Sequence, residues 1–173
     1  MKVWQHHMVG LTLLAWVHGA GAACNADLAL TRPDSRYEAV AGSGGAEVRD
    51  KVTGLIWQRC LLGMSWDGST CTGTASTHTW TQALDAARTA TASPVAGAGA
   101  WRVPNHKELF SLAERACSSP ALNSRWFPGS HTYVWSSSPN AVDPALAQAI
   151  SFQDGSTFRL NRDSTSWRVR LVR

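Results

Sequence analysis

Cysteine is sparse in this chain and badly spaced for metal. There are 4 cysteines, Cys24, Cys60, Cys71 and Cys117, and no two stand as a C-x-x-C pair, so the close ligand pairs of a zinc site are missing. Long apolar runs are missing too. The most apolar stretch, Met8 to Val17, is 10 residues long, about half of the roughly 20 that a membrane-spanning helix needs. No segment recurs at a period of about 20–50 residues and no heptad pattern runs through the chain, which excludes solenoids and coiled coils. His78, His106 and His131 coexist with many serines, yet no G-x-S-x-G elbow accompanies them. The Gly42-Ser43-Gly44-Gly45 run has no following Lys-Ser/Thr and is a turn, not a phosphate loop. Lysine is scarce: 13 of the 16 basic residues are arginine, whose planar fork suits carboxylate, sulfate or phosphate where lysine offers a point charge. Without a basic helix or an aromatic RNA-binding motif, nucleic acid is excluded as a partner. No cofactor or metal is implied.

What is present begins with a leader. Met1 to His7 is a polar start carrying Lys2, Met8 to Val17 is the apolar centre, and Ala20-Gly21-Ala22 supplies a small-x-small cleavage pattern. These features predict a signal peptide over residues 1–22 and an exported protein: periplasmic, cell-surface or secreted. A rival reading is lipidation at Cys24, because Gly21-Ala22-Ala23-Cys24 resembles a lipoprotein box, although the usual leucine is missing. About 150 residues remain, enough for one domain that buries ~70% of its unfolded surface. Without Lys2 there are 15 basic and 12 acidic side chains, a net charge of +3 (15 − 12). An even number of cysteines in an exported chain predicts two disulfides. The polar loop between Cys60 and Cys71 contains Gly63 and Gly68 and can bend back, so these two are expected to pair, leaving Cys24 for Cys117.

Periodicity and punctuation predict the elements. Strands are expected at Tyr37–Val40, from Glu47, at Leu55–Arg59, Val134–Ser137, Ala149–Phe152, Thr157–Leu160 and Trp167–Val172, with a hairpin turn at Asp154-Gly155. Two helices are marked by capping-box spacing. Thr79 and Gln82 open the first, with Trp80, Ala83, Leu84 and Ala87 on one face. Asn105 and Glu108 open the second, with Leu109, Leu112, Ala113 and Ala116 as its apolar stripe. Ser93-Pro94 and the Ala/Gly run Val95 to Ala100 form a loose loop between them. Early helices and a strand-rich second half predict an α+β class with an antiparallel sheet.

Several motifs then occur in order. They are Val52-Thr53-Gly54-Leu55-Ile56-Trp57, the Cys60…Trp66-Asp67-Gly68-Ser69-Thr70-Cys71 segment, Thr79-Trp80-x-x-Ala83-Leu84, Trp101-Arg102-Val103-Pro104-Asn105-x-Lys107-Glu108-Leu109, Trp135-Ser136-Ser137-Ser138-Pro139 and Val169-Arg170-Leu171-Val172-Arg173. Together they resemble the Lcl C-terminal domain family. The resemblance divides the mature chain into an N-terminal arm, 23–50, and a domain, 51–173. The better-understood members are exported bacterial modules implicated in adhesion and in binding sulfated polysaccharides. The Trp101 to Leu109 block and the arginine-ending final strand also resemble the formylglycine-generating-enzyme group. Both groups are associated with the C-type-lectin-like fold, so the resemblance implies two helices packed on a twisted antiparallel sheet with two disulfides. The formylglycine chemistry uses a late cysteine pair, and no cysteine follows Cys117. The calcium motifs of sugar-binding lectins, Glu-Pro-Asn or Gln-Pro-Asp followed by Trp-Asn-Asp, are also missing, and Asp67-Gly68 and Asn161-Arg162-Asp163 are better explained as turns.

Seven tryptophans follow residue 22. Trp57, Trp80, Trp101 and Trp135 fall at apolar positions and are expected in the core, Trp167 belongs to the apolar set of the final strand, and Trp66 and Trp126 are expected to be exposed. The densest charge signal is C-terminal: five arginines stand between Arg159 and Arg173 against the single acid Asp163. Trp167, Val169 and Leu171 alternate with Arg168 and Arg170, so the two arginines are expected side by side on an outward face. Arg159 or Arg162 is expected to complete the patch. The candidate ligand-binding residues are therefore Arg159, Arg162, Arg168, Arg170, Trp66 and Trp126, facing an anionic glycan. The competing reading of the arginines is a solvated face paired with local carboxylates. The function expected is a non-catalytic binding or adhesion module, and the rival is a structural subunit of a pilus or envelope complex that docks protein.

Overall fold

The computed structural model describes residues 22–90, 99–129 and 133–173. The leader expected over residues 1–22 (apart from Ala22), the loop at 93–98 and His131 lie outside the described residues. In chain order the elements are β1 (Ala23–Cys24), a 3-10 turn (Asp34–Arg36), β2 (Tyr37–Ala39), β3 (Glu47–Asp50), β4 (Ile56–Gln58), β5 (Met64–Trp66), β6 (Cys71–Gly73), α1 (Trp80–Thr89), α2 (His106–Phe110), β7 (Cys117–Ser118), β8 (Tyr133–Pro139), β9 (Leu146–Ser151) and β10 (Thr157–Asn161). The strands form four small antiparallel sheets among the described residues: β1-β7, β2-β3-β4, β5-β6 and β10-β9-β8. The class is α+β and mostly sheet.

Local chemistry accounts for the elements. Asp50 and Gly54 close the turn into β4 through a Gly54 N–H bond to the Asp50 oxygen (2.8 Å). Gly155, at φ 77°, turns β9 into β10 as its position in the sequence predicts. Both capping boxes form: Thr79 with Gln82, and Asn105 with Glu108, each side chain bonding the other's backbone N–H. The second helix is shorter than its apolar stripe suggests. It stops at Phe110, and Leu112 and Ala113 are buried instead in a turn whose Ala113 bridges Leu122. Glu114 draws the chain off the helical path. Its carboxylate accepts from Arg32 N–H (2.6 Å), Ala116 N–H (3.0 Å) and the Thr31 hydroxyl (3.1 Å). Cys117 consequently lies in β7 and not at a helix end.

Both expected disulfides are present, Cys24–Cys117 and Cys60–Cys71. The first engages the only sulfur of Cys24, which leaves none for a lipid thioether, so lipidation at Cys24 is incompatible with this structure. Among the described residues no helix is long and apolar enough to cross a membrane.

The final segment departs most from expectation. Residues 167–173 do not form a regular edge strand. They thread between the two three-stranded sheets, bonding β4 on one side (Gln58 N to Leu171 O, 3.0 Å; Arg173 N to Ile56 O, 2.9 Å) and β8 on the other (Trp135 N to Arg168 O, 2.9 Å). The alternation read from the sequence is real, but both faces are covered. Val169 and Leu171 enter a cluster with Trp101, Val103, Trp135 and Ala149, while Val172 enters a second with Trp57, Leu109, Phe127 and Ile150. Covered on both sides, the stretch from Val169 to Val172 has no solvent face.

Candidate functional site

Arg59 follows β4, two residues after the buried Trp57, and so shares with Trp57 and Tyr37 one face of the β2-β3-β4 sheet. Its guanidinium lies between two indoles, 4.2 Å from the centre of Trp66 and 4.9 Å from that of Trp126. Each plate has its own support. Trp66 stands on the β5–β6 hairpin directly opposite Cys71, and it rests on Gly45, where a Cβ would come within 3.0 Å of the indole Nε1. Gly45 is at φ 87°, so glycine serves there both for the turn and for the close approach. Trp126 sits in the turn opened by Asn123, whose side-chain oxygen accepts from the Trp126 N–H (3.3 Å) and whose amide donates to Arg32 O and Asp34. The inner flank of Trp126 meets the Tyr37 ring at 6.3 Å.

The electrostatics of Arg59 are unlike those of its neighbours. Arg36 pairs with Asp50, Arg102 with Glu108, Arg125 with Asp34 and Arg173 with Glu47. Arg59 is 8% exposed, and among the described residues no carboxylate stands within ion-pair distance of it. Burial pushes its pKa below the usual arginine value, with no acid to hold it up. Its Nε is sealed from solvent and has no hydrogen-bond partner. Nearby, the Tyr37 hydroxyl and the Trp57 and Trp126 indole N–H groups are also buried without partners. All four groups can donate, and the three nitrogens among them, Arg59 Nε and the two indole N–H groups, have no acceptor. Stacking holds the guanidinium plane in place, so the site offers an oriented two-pronged donor between aromatic walls.

The six residues expected from the sequence do not form one patch. Trp66 and Trp126 come together and are half-buried by Arg59 between them. Arg170 corrects the expectation outright. It is fully buried, donates to the main-chain oxygens of Gln58 (2.8 Å) and Arg59, and lies over the Phe127 ring at 5.0 Å. It follows Val172 into the core because the second face of that segment is interior. Arg168 is half-buried beside β8, in a parallel bridge with Val134. Arg159 is exposed on β10, the outer strand of its sheet. The register runs from Arg168 through Val134 and Ile150 to Thr157, so the row carrying Arg168 meets β10 roughly 14 Å away, three strand spacings. Arg162 turns elsewhere, stacking on Trp80 at 4.3 Å and donating to Leu146 O at 3.2 Å. Trp57, Trp101 and Trp135 are buried as expected. Trp80 is only half-buried, its indole N–H bonded to Ser136 O (2.8 Å) and its ring covered by Arg162.

Arg59 is the residue that sequence reasoning missed. Its signal was its place two residues after a core tryptophan and immediately before a paired cysteine. Other polar groups have plain structural partners. The Ser76 hydroxyl donates to Leu62 O (3.0 Å), which leaves its oxygen to accept from His78 Nε2 (2.8 Å), the reverse of an activated nucleophile. His106 meets Thr157 (3.2 Å) and stacks on Phe110, and Asp67 accepts two N–H groups of its own turn. Among the described residues no group of three His, Cys, Asp or Glu side chains is arranged to hold a metal ion.

Residues 46–173 match the sequence profile described as the Lcl C-terminal domain. No curated protein and no solved structure matches the chain.

Proposed function

The chain belongs to the Lcl C-terminal domain family, and from that premise we propose that it is an exported, non-catalytic binding module. Its ligand is an extracellular glycan carrying anionic groups, held by Arg59 between Trp66 and Trp126. The observation that carries this reading is the Arg59 guanidinium, buried by two aromatic plates yet lacking a carboxylate. A sulfate or carboxylate supplies the missing acceptor in bidentate geometry, and the half-buried indoles offer apolar faces to the sugar ring that bears it. Because the side chain is immobilised before the ligand arrives, less ordering entropy opposes binding. Two disulfides and the leader-like start of the sequence support export. The family resemblance, with the short antiparallel sheets and two disulfides, supports a C-type-lectin-like arrangement.

The test is a glycan array of sulfated, uronate-bearing and neutral sugars at low and high salt, beside a pull-down from the native cell envelope. Binding to the acidic glycans that weakens with salt is expected. Capture of an envelope protein with no acidic-glycan binding would replace this reading with that of an assembly subunit.

A further inference from the structure

We propose that the Cys60–Cys71 disulfide is a redox latch on the Arg59 site, closed and binding-competent when oxidised and open when reduced; this rests on the binding site described above. The covalent path through the latch is short. Arg59 is bonded to Cys60, Cys60 to Cys71 through sulfur, and Cys71 faces Trp66 across the β5–β6 ladder. The same bond therefore fixes the arginine and its outer plate relative to each other. Without it the covalent connection runs through Leu61, Leu62, Gly63, Met64 and Ser65, with Gly63 at φ 90°, and Trp66 keeps only its rest on Gly45. The hairpin that carries Trp66 is held only weakly by its own ladder, with Met64 as its contact to the core. β5 and β6 are three residues each and pair with no other strand, and an isolated two-stranded hairpin is marginal in water. Trp126, by contrast, is anchored by Asn123 and Tyr37, outside the disulfide loop.

The latch is reachable. Cys71 is half-buried while Cys60 is 7% exposed, so a thiolate attacks at the Cys71 sulfur and Cys60 leaves first. The reductant is a dithiol: it gives two electrons and two protons to the bridge, which becomes two thiols, and departs as its own cyclic disulfide. Opening releases Trp66 from the guanidinium and leaves Arg59 stacked on Trp126 alone, with one of its two aromatic walls gone.

The experiment uses a Cys24→Ser/Cys117→Ser variant, in which the latch is the only disulfide, with dithiothreitol as the dithiol and heparin as the probe. Acrylamide quenching of Trp66, taken as the difference between this variant and its Trp66→Phe derivative, reports the plate itself. Reduction is expected to weaken heparin binding about tenfold, the change that corresponds to about 1.4 kcal/mol of lost stacking, and to raise Trp66 quenching, with reoxidation reversing both. A Cys60→Ser/Cys71→Ser variant is expected to be folded by circular dichroism and fixed in the weak state. Two released thiols with unchanged Trp66 quenching would overturn the latch, and so would loss of the whole fold in that variant, because the bond would then be a general staple. If the oxidised protein does not bind heparin, the binding reading fails, and the quenching measurement still decides the latch.

Discussion

Arg170 donates through Nη1 to the main-chain oxygen of Gln58 at 2.8 Å, and this bond ties the last residues of the chain to the strand that leads into Arg59. A second bond from the same nitrogen reaches the Arg59 oxygen, so the buried arginine positions the backbone from which the candidate ligand-binding arginine projects. Burial pushes the Arg170 pKa down to about 9, which still leaves it charged at neutral pH.

Replacing Arg170 by Ala is therefore expected to destabilise the protein by about 3 kcal/mol, through a cavity and two carbonyls stripped of their donor. Arg168→Ala, at a half-buried position, is expected to cost under about 1 kcal/mol. Urea unfolding of both variants checks this, and equal small losses would contradict the buried placement.

Acid should loosen the N-terminal sheet. Burial raises the Asp50 carboxyl, but hydrogen bonds from Arg36 and from the Val52 N–H outweigh it, and the net shift is below the ordinary 3.8. Burial likewise raises Glu114, and the N–H groups of Ala116 and Arg32 bring it below the ordinary 4.5. A depressed carboxyl contributes stability that is complete above the unfolded pKa and is lost as pH falls through the folded one. Urea midpoints are thus expected to hold down to about pH 5 and to fall steadily below about pH 4. Asp50→Asn should cost about 3 kcal/mol at neutral pH, because it leaves the Arg36 charge buried and unpaired, and it should flatten the acid limb. A midpoint that rises on acidification would contradict the assignment.

Asn105 is scaffold. Its side chain accepts from Glu108 N–H at 2.9 Å, and the Glu108 carboxylate returns to Asn105 N–H (2.8 Å) while Arg102 grips both of its oxygens. Asn105→Ala is expected to lower stability by ~1 kcal/mol and leave heparin binding unchanged. Weaker binding at an unchanged melting temperature would show that this corner is part of a site.

Features set by a few neighbouring residues were legible in the sequence. The Thr79/Gln82 and Asn105/Glu108 boxes, the Asp154-Gly155 turn and the Cys60–Cys71 pairing each depend on chemistry within about a dozen positions. What covers a face is not local. The alternation of Trp167, Val169 and Leu171 with Arg168 and Arg170 gave the correct phase, but no short-range signal could say that a second core lay behind Arg170. Trp66 and Trp126 stood out individually, and Arg59 did not, because an arginine flanking a strand is unremarkable until the disulfide hairpin and the Asn123 turn close on it. The length of the second helix failed for a similar reason. The apolar stripe through Ala116 continued, while the partners of Glu114 at Thr31 and Arg32, more than 80 residues away in sequence, bent the chain out of the helix.

The central claim, that Arg59 between Trp66 and Trp126 receives the anionic group of a ligand, is tested most directly by calorimetric titration of heparin into wild type and Arg59→Gln, with Arg159→Ala as a surface-charge control. Loss of a charge-assisted bidentate contact is expected to weaken binding at least about tenfold in Arg59→Gln, with the control within about twofold of wild type. Equal affinities for wild type and Arg59→Gln, or a larger loss in the Arg159 control, would contradict it.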